Sequence, residues 1–236
     1  MQIGEGEKSS KAIQPIATYF FKVSQLAHYS FCPHRCRVEL FNLAKPYSNG
    51  GNKAMVTGTE MHKSYNSWAK SFDRMKLLYQ LKYQCKLPYT RRLDNIEVRG
   101  IFDDIRVIRD SHTNEKFVSF VELKTTAKKR MWNCEVESAK FQLCLYIWVL
   151  SPILSKLGWK LGKHHFLEIY SQQTHKLIRR IVVTEDKSIE DRIRYIIRSF
   201  QGIEPIRYPP DYTCKICPKN VKEVCNKYQS SRKVIW

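Results

Sequence analysis

FVSFVELKT, residues 117–125, is the stretch that decides the architecture of this chain. It is rich in Val and Phe, and a turn-forming run of Asp, Ser, Thr and Asn at 110–114 precedes it, so it reads as a β-strand. Side chains two apart in a strand share a face. Glu122 and Lys124 therefore point one way, and Val121, Leu123 and Thr125 the other. Ionised groups on a mostly apolar strand are costly to bury unless they are paired or hold a cation.

Working outward, Ile96 to Ile108 reads as a second strand, antiparallel to the first, with Asp103 flanked by Ile101 and Ile105 on its own face. Residues 76–86 alternate (Leu78, Gln80, Lys82, Gln84), which predicts another strand. A helix is expected from about Glu135 to Leu150, placing Gln142 and Tyr146 on one face at i, i+4. Strands at 165–171 and 176–184 and a helix at about 186–201 follow. Toward the N-terminus, 1–16 read as a loose leader. Ser24 to Leu43 read as two short helices broken near Cys32 by Pro33, and Thr57-Gly58 precedes a helix over about 59–73 that carries His62. The expected class is α/β, with a mixed central sheet flanked by helices.

The net charge of +19 over 236 residues favours a polyanionic partner. Thirteen Tyr and eleven Phe argue against a disordered chain. No apolar stretch resembles a secretory signal at 1–16. The longest nearly apolar run, Leu143 to Leu154, is short for a bilayer and is interrupted at Ser151-Pro152. A cytoplasmic location is expected, where cysteine patterns point to metal or catalysis more often than to disulfides.

Asp103 and Glu122 supply the hard oxygen ligands that magnesium takes, with waters and phosphate completing the shell. The main-chain carbonyl of Leu123 is a candidate further ligand. His62 as a ligand would admit manganese as well. Such an ion polarises a phosphodiester and acidifies a bound water. Lys124 is then placed to position or deprotonate that water, or to stabilise transition-state charge. Each residue also has a plainer reading: Glu122–Lys124 as a surface pair, Asp103-Asp104 as a solvated turn, His62 as a capping histidine, Tyr146 as a core aromatic.

Cys214, Cys217 and Cys225 form a compact trio spaced to hold one metal ion or cluster. A fourth ligand is needed. Cys32, in the segment FCPHRC (31–36), is the first candidate and Cys36 the second, while Cys85, Cys134 and Cys144 read as packing thiols. Four thiolates suit zinc as well as iron–sulfur.

The string GTEMH (58–62), GIFD (100–103), ELK (122–124) and QLCLY (142–146) resembles the RecB-type branch of the PD-(D/E)xK nuclease superfamily. The one-plus-three cysteine layout resembles the iron–sulfur members of that branch. At this length the chain is most similar to the CRISPR-associated exonucleases of the Cas-four family. The resemblance covers about residues 24–228. It implies a restriction-endonuclease-like core over 17–204 and a cysteine module over 205–236. It implies His62, Asp103, Glu122 and Lys124 as the metal and catalytic site, with Gln142 and Tyr146 reaching DNA or the lysine. It also implies a 4Fe–4S cluster on Cys32, Cys214, Cys217 and Cys225 joining the chain ends. The implied activity is Mg2+- or Mn2+-dependent 5′-to-3′ exonuclease action on single-stranded DNA, with possible endonuclease activity. The implied setting is spacer acquisition beside CRISPR integrase proteins, or viral or host DNA processing.

Lys128, Lys129 and Arg130 follow the strand directly, with Trp132 two residues on. Cations that track phosphates beside a ring that stacks on bases suit single-stranded DNA; a solvated charge run is the plainer reading. Arg91-Arg92 and Arg179-Arg180 are weaker candidates. A rival reading of the whole chain is a non-catalytic DNA-binding iron–sulfur or zinc protein in a larger complex. The cysteine reading is checked on purified protein. A brown colour and about four irons per chain are expected for a 4Fe–4S unit, with Cys32→Ser bleaching it and Cys36→Ser leaving it intact. Colourless protein with stoichiometric zinc gives the site to zinc.

Overall fold

The computed structural model describes residues 19–40 and 71–205 and, near the C-terminus, 217, 219 and 221–225. The expected leader, His62 with all but the end of its helix, and Cys214 lie outside the described residues. In chain order the elements are β1 (Tyr19–Lys22), α1 (Val23–Phe31), α2 (Pro33–Leu40), α3 (Phe72–Gln84), β2 (Tyr89–Leu93), β3 (Ile96–Gly100) and β4 (Asp104–Arg109). There follow β5 (Lys116–Thr126), α4 (Asn133–Lys156), β6 (Lys160–Leu161), β7 (His165–Ser171), β8 (Leu177–Val183) and α5 (Ile189–Phe200).

The strands form two mixed sheets. A three-stranded sheet has the order β1-β3-β2, and a five-stranded sheet has the order β4-β5-β7-β8 with β6 also on β5. β4 and β5 are antiparallel, as the sequence predicts, and so are β7 and β8; β5 and β7 are parallel. Parallel neighbours need a crossover, and α4 supplies most of it. This helix is buried along most of its length, with Phe141, Leu143, Leu145, Ile147, Val149, Leu150 and Leu154 all nearly inaccessible. By length and composition this helix could cross a membrane, but it is mostly buried as the core helix. α1 packs along it, and Ser138 Oγ donates to the Ala27 carbonyl at 2.9 Å.

Three expectations are corrected. Residues 76–86 do not form a strand: 72–84 are helical, because Arg74, Leu77 and Leu81 repeat at helical rather than alternating spacing and are the buried side. Ser71 Oγ caps this helix by accepting the Arg74 N–H at 3.2 Å. The single strand expected over Ile96–Ile108 is two strands in different sheets, parted at 101–103. Ile101 is exposed at the break, so it does not share a buried face with Ile105. Finally, α4 runs through Pro152 rather than stopping before it. A helical proline leaves the carbonyl four residues back without its N–H partner. That carbonyl belongs to Trp148, and Arg91 Nη1 donates to it at 2.7 Å. Arg91 also lies 4.4 Å from the Trp148 ring centroid and pairs with Glu190 at 3.0 Å. These contacts give Arg91 a structural task in the fold.

Among the described residues the five-stranded sheet carries two buried ion clusters away from Glu122. Arg74 bonds Asp104 and the Ile105 carbonyl, fastening α3 to β4. Glu168 on β7 is fully buried and accepts from Arg106 at 2.8 Å, Arg180 at 2.7 Å and the Tyr170 hydroxyl at 2.9 Å. Burial pushes the Glu168 carboxyl up, but these donors outweigh it and hold the carboxyl below its usual range. A group whose folded pKa is depressed stabilises above its unfolded value, and that stabilisation is lost as pH falls through the folded value. Stability measured by urea melts should therefore fall as the pH drops below about 4. Glu168→Gln should be destabilised at neutral pH by about 1.5–3 kcal/mol and should show a shallower acid slope.

Candidate active site

The site lies where the two sheets part. The β4–β5 ladder ends at the Asp104–Val121 pair. One step beyond, the Asp103 side chain stands in for a strand: its Oδ2 accepts the Leu123 N–H at 3.0 Å. Asp103 is thus on the bend before β4, not within a strand as the sequence reading had it. The N–H and C=O of one strand residue project to the same side. The Leu123 carbonyl therefore faces the edge on which Asp103 sits.

Glu122 and Lys124 share the face of β5 that meets α4. Lys124 Nζ is 2.5 Å from Glu122 Oε1 and donates to Gln142 Oε1 at 3.1 Å. Gln142 Nε2 in turn donates to the Tyr146 hydroxyl at 3.3 Å, across one turn of α4. Five of the residues picked out in the sequence thus meet in one connected group: Asp103, Glu122, Lys124, Gln142 and Tyr146. The Tyr146 ring lies in the core, and its hydroxyl is bonded to Gln142 rather than to Lys124. Gly100 has a packing reason. A Cβ there would stand 2.7 Å from Tyr146 Cε1 and 2.7 Å from Val23 Cγ2, so only glycine lets the tyrosine lie against β3.

The electrostatics are those of a buried ion pair. Glu122 has no accessible surface. Burial pushes the Lys124 ammonium down, but the charges of Glu122 and Asp103 outweigh it and hold its pKa above the ordinary value. Burial, and then the Glu122 charge, raise the Tyr146 phenol well above its usual range, against the bond from Gln142. Lys124 is therefore a cation and Tyr146 a neutral hydroxyl at physiological pH. The Asp103 and Glu122 carboxylates, with the Leu123 carbonyl, supply hard oxygens at this end of β5, a donor chemistry that fits magnesium or manganese. Among the described residues no group of three or more His, Cys, Asp or Glu side chains converges as a ready-made metal cage. Such a cage is more than magnesium needs, since it keeps several waters.

The other expected site residues are placed as follows. Lys128, Lys129 and Arg130 are exposed on the loop after β5, and Lys128 Nζ lies 5.5 Å from the centroid of the Trp132 ring. Cys32 is buried at the α1–α2 junction, in contact with Phe31 and Cys134. The proximity of Cys134, which opens α4, had no signal in the sequence. The Cys36 thiol donates to the Gln25 carbonyl at 3.0 Å. Cys217 and Cys225 are half-buried in the C-terminal stretch. Arg180 serves Glu168, while Arg179 is exposed on the opposite face of β8.

Two solved structures are similar over most of the chain. SSO0001 shares 15 % identity with a TM-score of 0.48, over 88 % of this chain and 89 % of its own. A candidate exonuclease from Eubacterium rectale shares 14 % identity with a TM-score of 0.42, over 92 % of this chain and 91 % of its own. No protein-family model matches the chain, and no curated protein does.

The donor set is checked by thermal melts. Mg2+ or Mn2+ should raise the melting temperature in a concentration-dependent way, by the equivalent of about 2.7 kcal/mol at a hundredfold excess over Kd. Asp103→Asn should abolish the rise.

Proposed function

We propose that this chain is a metal-dependent deoxyribonuclease acting on single-stranded DNA. The observation that carries the reading is the connected group Asp103, Glu122, Lys124, Gln142 and Tyr146, built from a strand, a bend and the facing helix. Asp103, Glu122 and the Leu123 carbonyl would hold Mg2+ or Mn2+, which when bound polarises the scissile phosphate and acidifies a water. Lys124 is held as an ammonium at the metal-binding edge and stabilises negative charge on the phosphate as it develops. Gln142 fixes the Lys124 amine, and Tyr146 fixes Gln142, so the cation is aimed before substrate arrives. The net charge of +19 supplies the attraction to a polyanion.

The motif resemblance supports finer parts of the proposal. These are 5′-to-3′ polarity and a 4Fe–4S cluster on Cys32, Cys214, Cys217 and Cys225 that staples the chain ends, while the sequence composition supports a cytoplasmic setting. They also include work beside CRISPR integrase proteins or in viral or host DNA processing. The test is cleavage of end-labelled single-stranded DNA with Mg2+ or Mn2+, wild type beside Lys124→Ala. Wild type should cleave, with the position of the label giving polarity. Lys124→Ala should lose about 10²–10³-fold in kcat and keep DNA binding. Absence of cleavage by metal-replete, cluster-loaded wild type would give the chain to the non-catalytic DNA-binding reading.

A further inference from the structure

A cavity of about 420 Å³ opens beside the candidate site, lined by Arg130, Trp132, Val136, Ile169, Ile178 and Arg179 among others. Its place follows from strand register. Ile169 on β7 pairs with Lys124 on β5, and Arg179 on β8 pairs with Ile169. Paired residues of neighbouring strands share a face, so Lys124, Ile169 and Arg179 form one row across the sheet. The row spans two strand spacings, about 10 Å. The cavity therefore opens on the same face as the lysine, one strand away.

Its walls are unusual for a strand. Ile178 and Arg179 are consecutive, yet both line the cavity. Regular alternation forbids that. The β7–β8 ladder shifts register between Ile169 and Tyr170: Ile169 pairs with Arg179, Tyr170 pairs with Leu177, and Ile178 is the extra residue of a bulge. A bulge re-aims a side chain, here adding an apolar wall beside a guanidinium. The opposite wall is anchored at both ends. The Lys128 N–H donates to Thr126 Oγ1 at 3.1 Å, and the Trp132 N–H donates to Glu135 Oε2 at 2.9 Å.

An apolar floor, an indole wall and two guanidiniums, with no carboxylate among the lining residues, match one ligand chemistry: a flat aromatic base joined to phosphate. We propose that this cavity receives an unpaired base of the DNA strand, next to the phosphate held at Lys124, with Trp132 against the base and Arg179 on the neighbouring phosphate. The proposal rests on the nuclease reading for the identity of the strand. It adds a physical cause for single-strand selectivity, because a base must leave its duplex to enter.

The test is binding by the Lys124→Ala protein, with oligothymidylate compared to a fully abasic strand of equal length and charge. The based strand should bind about tenfold more tightly. Trp132→Ala in the same background should lose most of that preference. Tyr79→Ala, at an exposed aromatic of α3 away from the cavity, should keep it. Arg179→Ala should weaken both strands alike and reduce the salt slope by about 1. Equal affinity for the two strands, a preference that survives Trp132→Ala, or no binding to either strand would overturn the pocket. Base preference in a wild type that cleaves nothing would refute the nuclease reading and leave the pocket standing. Cleavage by wild type without base preference would refute the pocket alone.

Discussion

The bond from the Leu123 N–H to Asp103 is the constraint on which the site depends. The chain leaves the small sheet at Gly100 and enters the large one at Asp104, and between them it has no ladder to follow. A carboxylate at 103 takes up the next strand N–H in place of a main-chain carbonyl. That substitution keeps the edge of β5 satisfied while leaving it open, with the Leu123 carbonyl and the Glu122 carboxylate beside it. A continued strand would have closed this edge with backbone, and there would be no room for an ion or a phosphate.

The same sheet must then carry charge on both faces without losing its core. Toward α4 it carries Glu122 with Lys124; on the other side Asp104 meets Arg74, and Glu168 meets Arg106 and Arg180. Removing one partner from such a pair is costly, because the other is left buried and charged. The three clusters differ in what offsets them. Asp104 and Glu168 are met by guanidiniums that also fasten neighbouring elements. Glu122 is met by the flexible amine of Lys124, whose side chain is 29 % exposed. An amine on a flexible stem re-aims more easily than a guanidinium that bonds two elements at once.

The sequence made β5 legible because its strand rhythm and its charges agree: the two-residue spacing of Glu122 and Lys124 by itself puts them together. Gln142 and Tyr146 were legible for the same reason on a helix, where i, i+4 is a contact distance. The break at 101–103 was not legible, because Ile96, Val98, Ile105 and Val107 keep an apolar rhythm through it and only the tight approach of Tyr146 to Gly100 marks the end of β3. α3 was misread because Leu78, Gln80 and Lys82 alternate by accident, while the buried residues sit at 74, 77 and 81. Arg91 and Trp148 show the deeper limit. The sequence ends this helix at Leu150, before Pro152, because the donor that replaces the missing proline N–H comes from a residue 57 positions away.

α4 ties these themes together. It is the crossover that makes β5 and β7 parallel neighbours, the core helix against both sheets, and the support for Gln142 and Tyr146. Its first turn, from Trp132 to Val136, walls the cavity beside the site, and its Trp148 turn is held by Arg91 and Glu190. Stability and positioning are therefore coupled along one rigid rod. A shift of its axis large enough to relieve a core defect would also move Gln142 away from Lys124, and Trp132 away from Ile169. The packing density of protein interiors makes such small shifts difficult to absorb locally. The apolar run that resembles a membrane segment by composition is thus what holds a polar network in register. Hydrophobic burial on three sides of α4 fixes the one side where charge is needed.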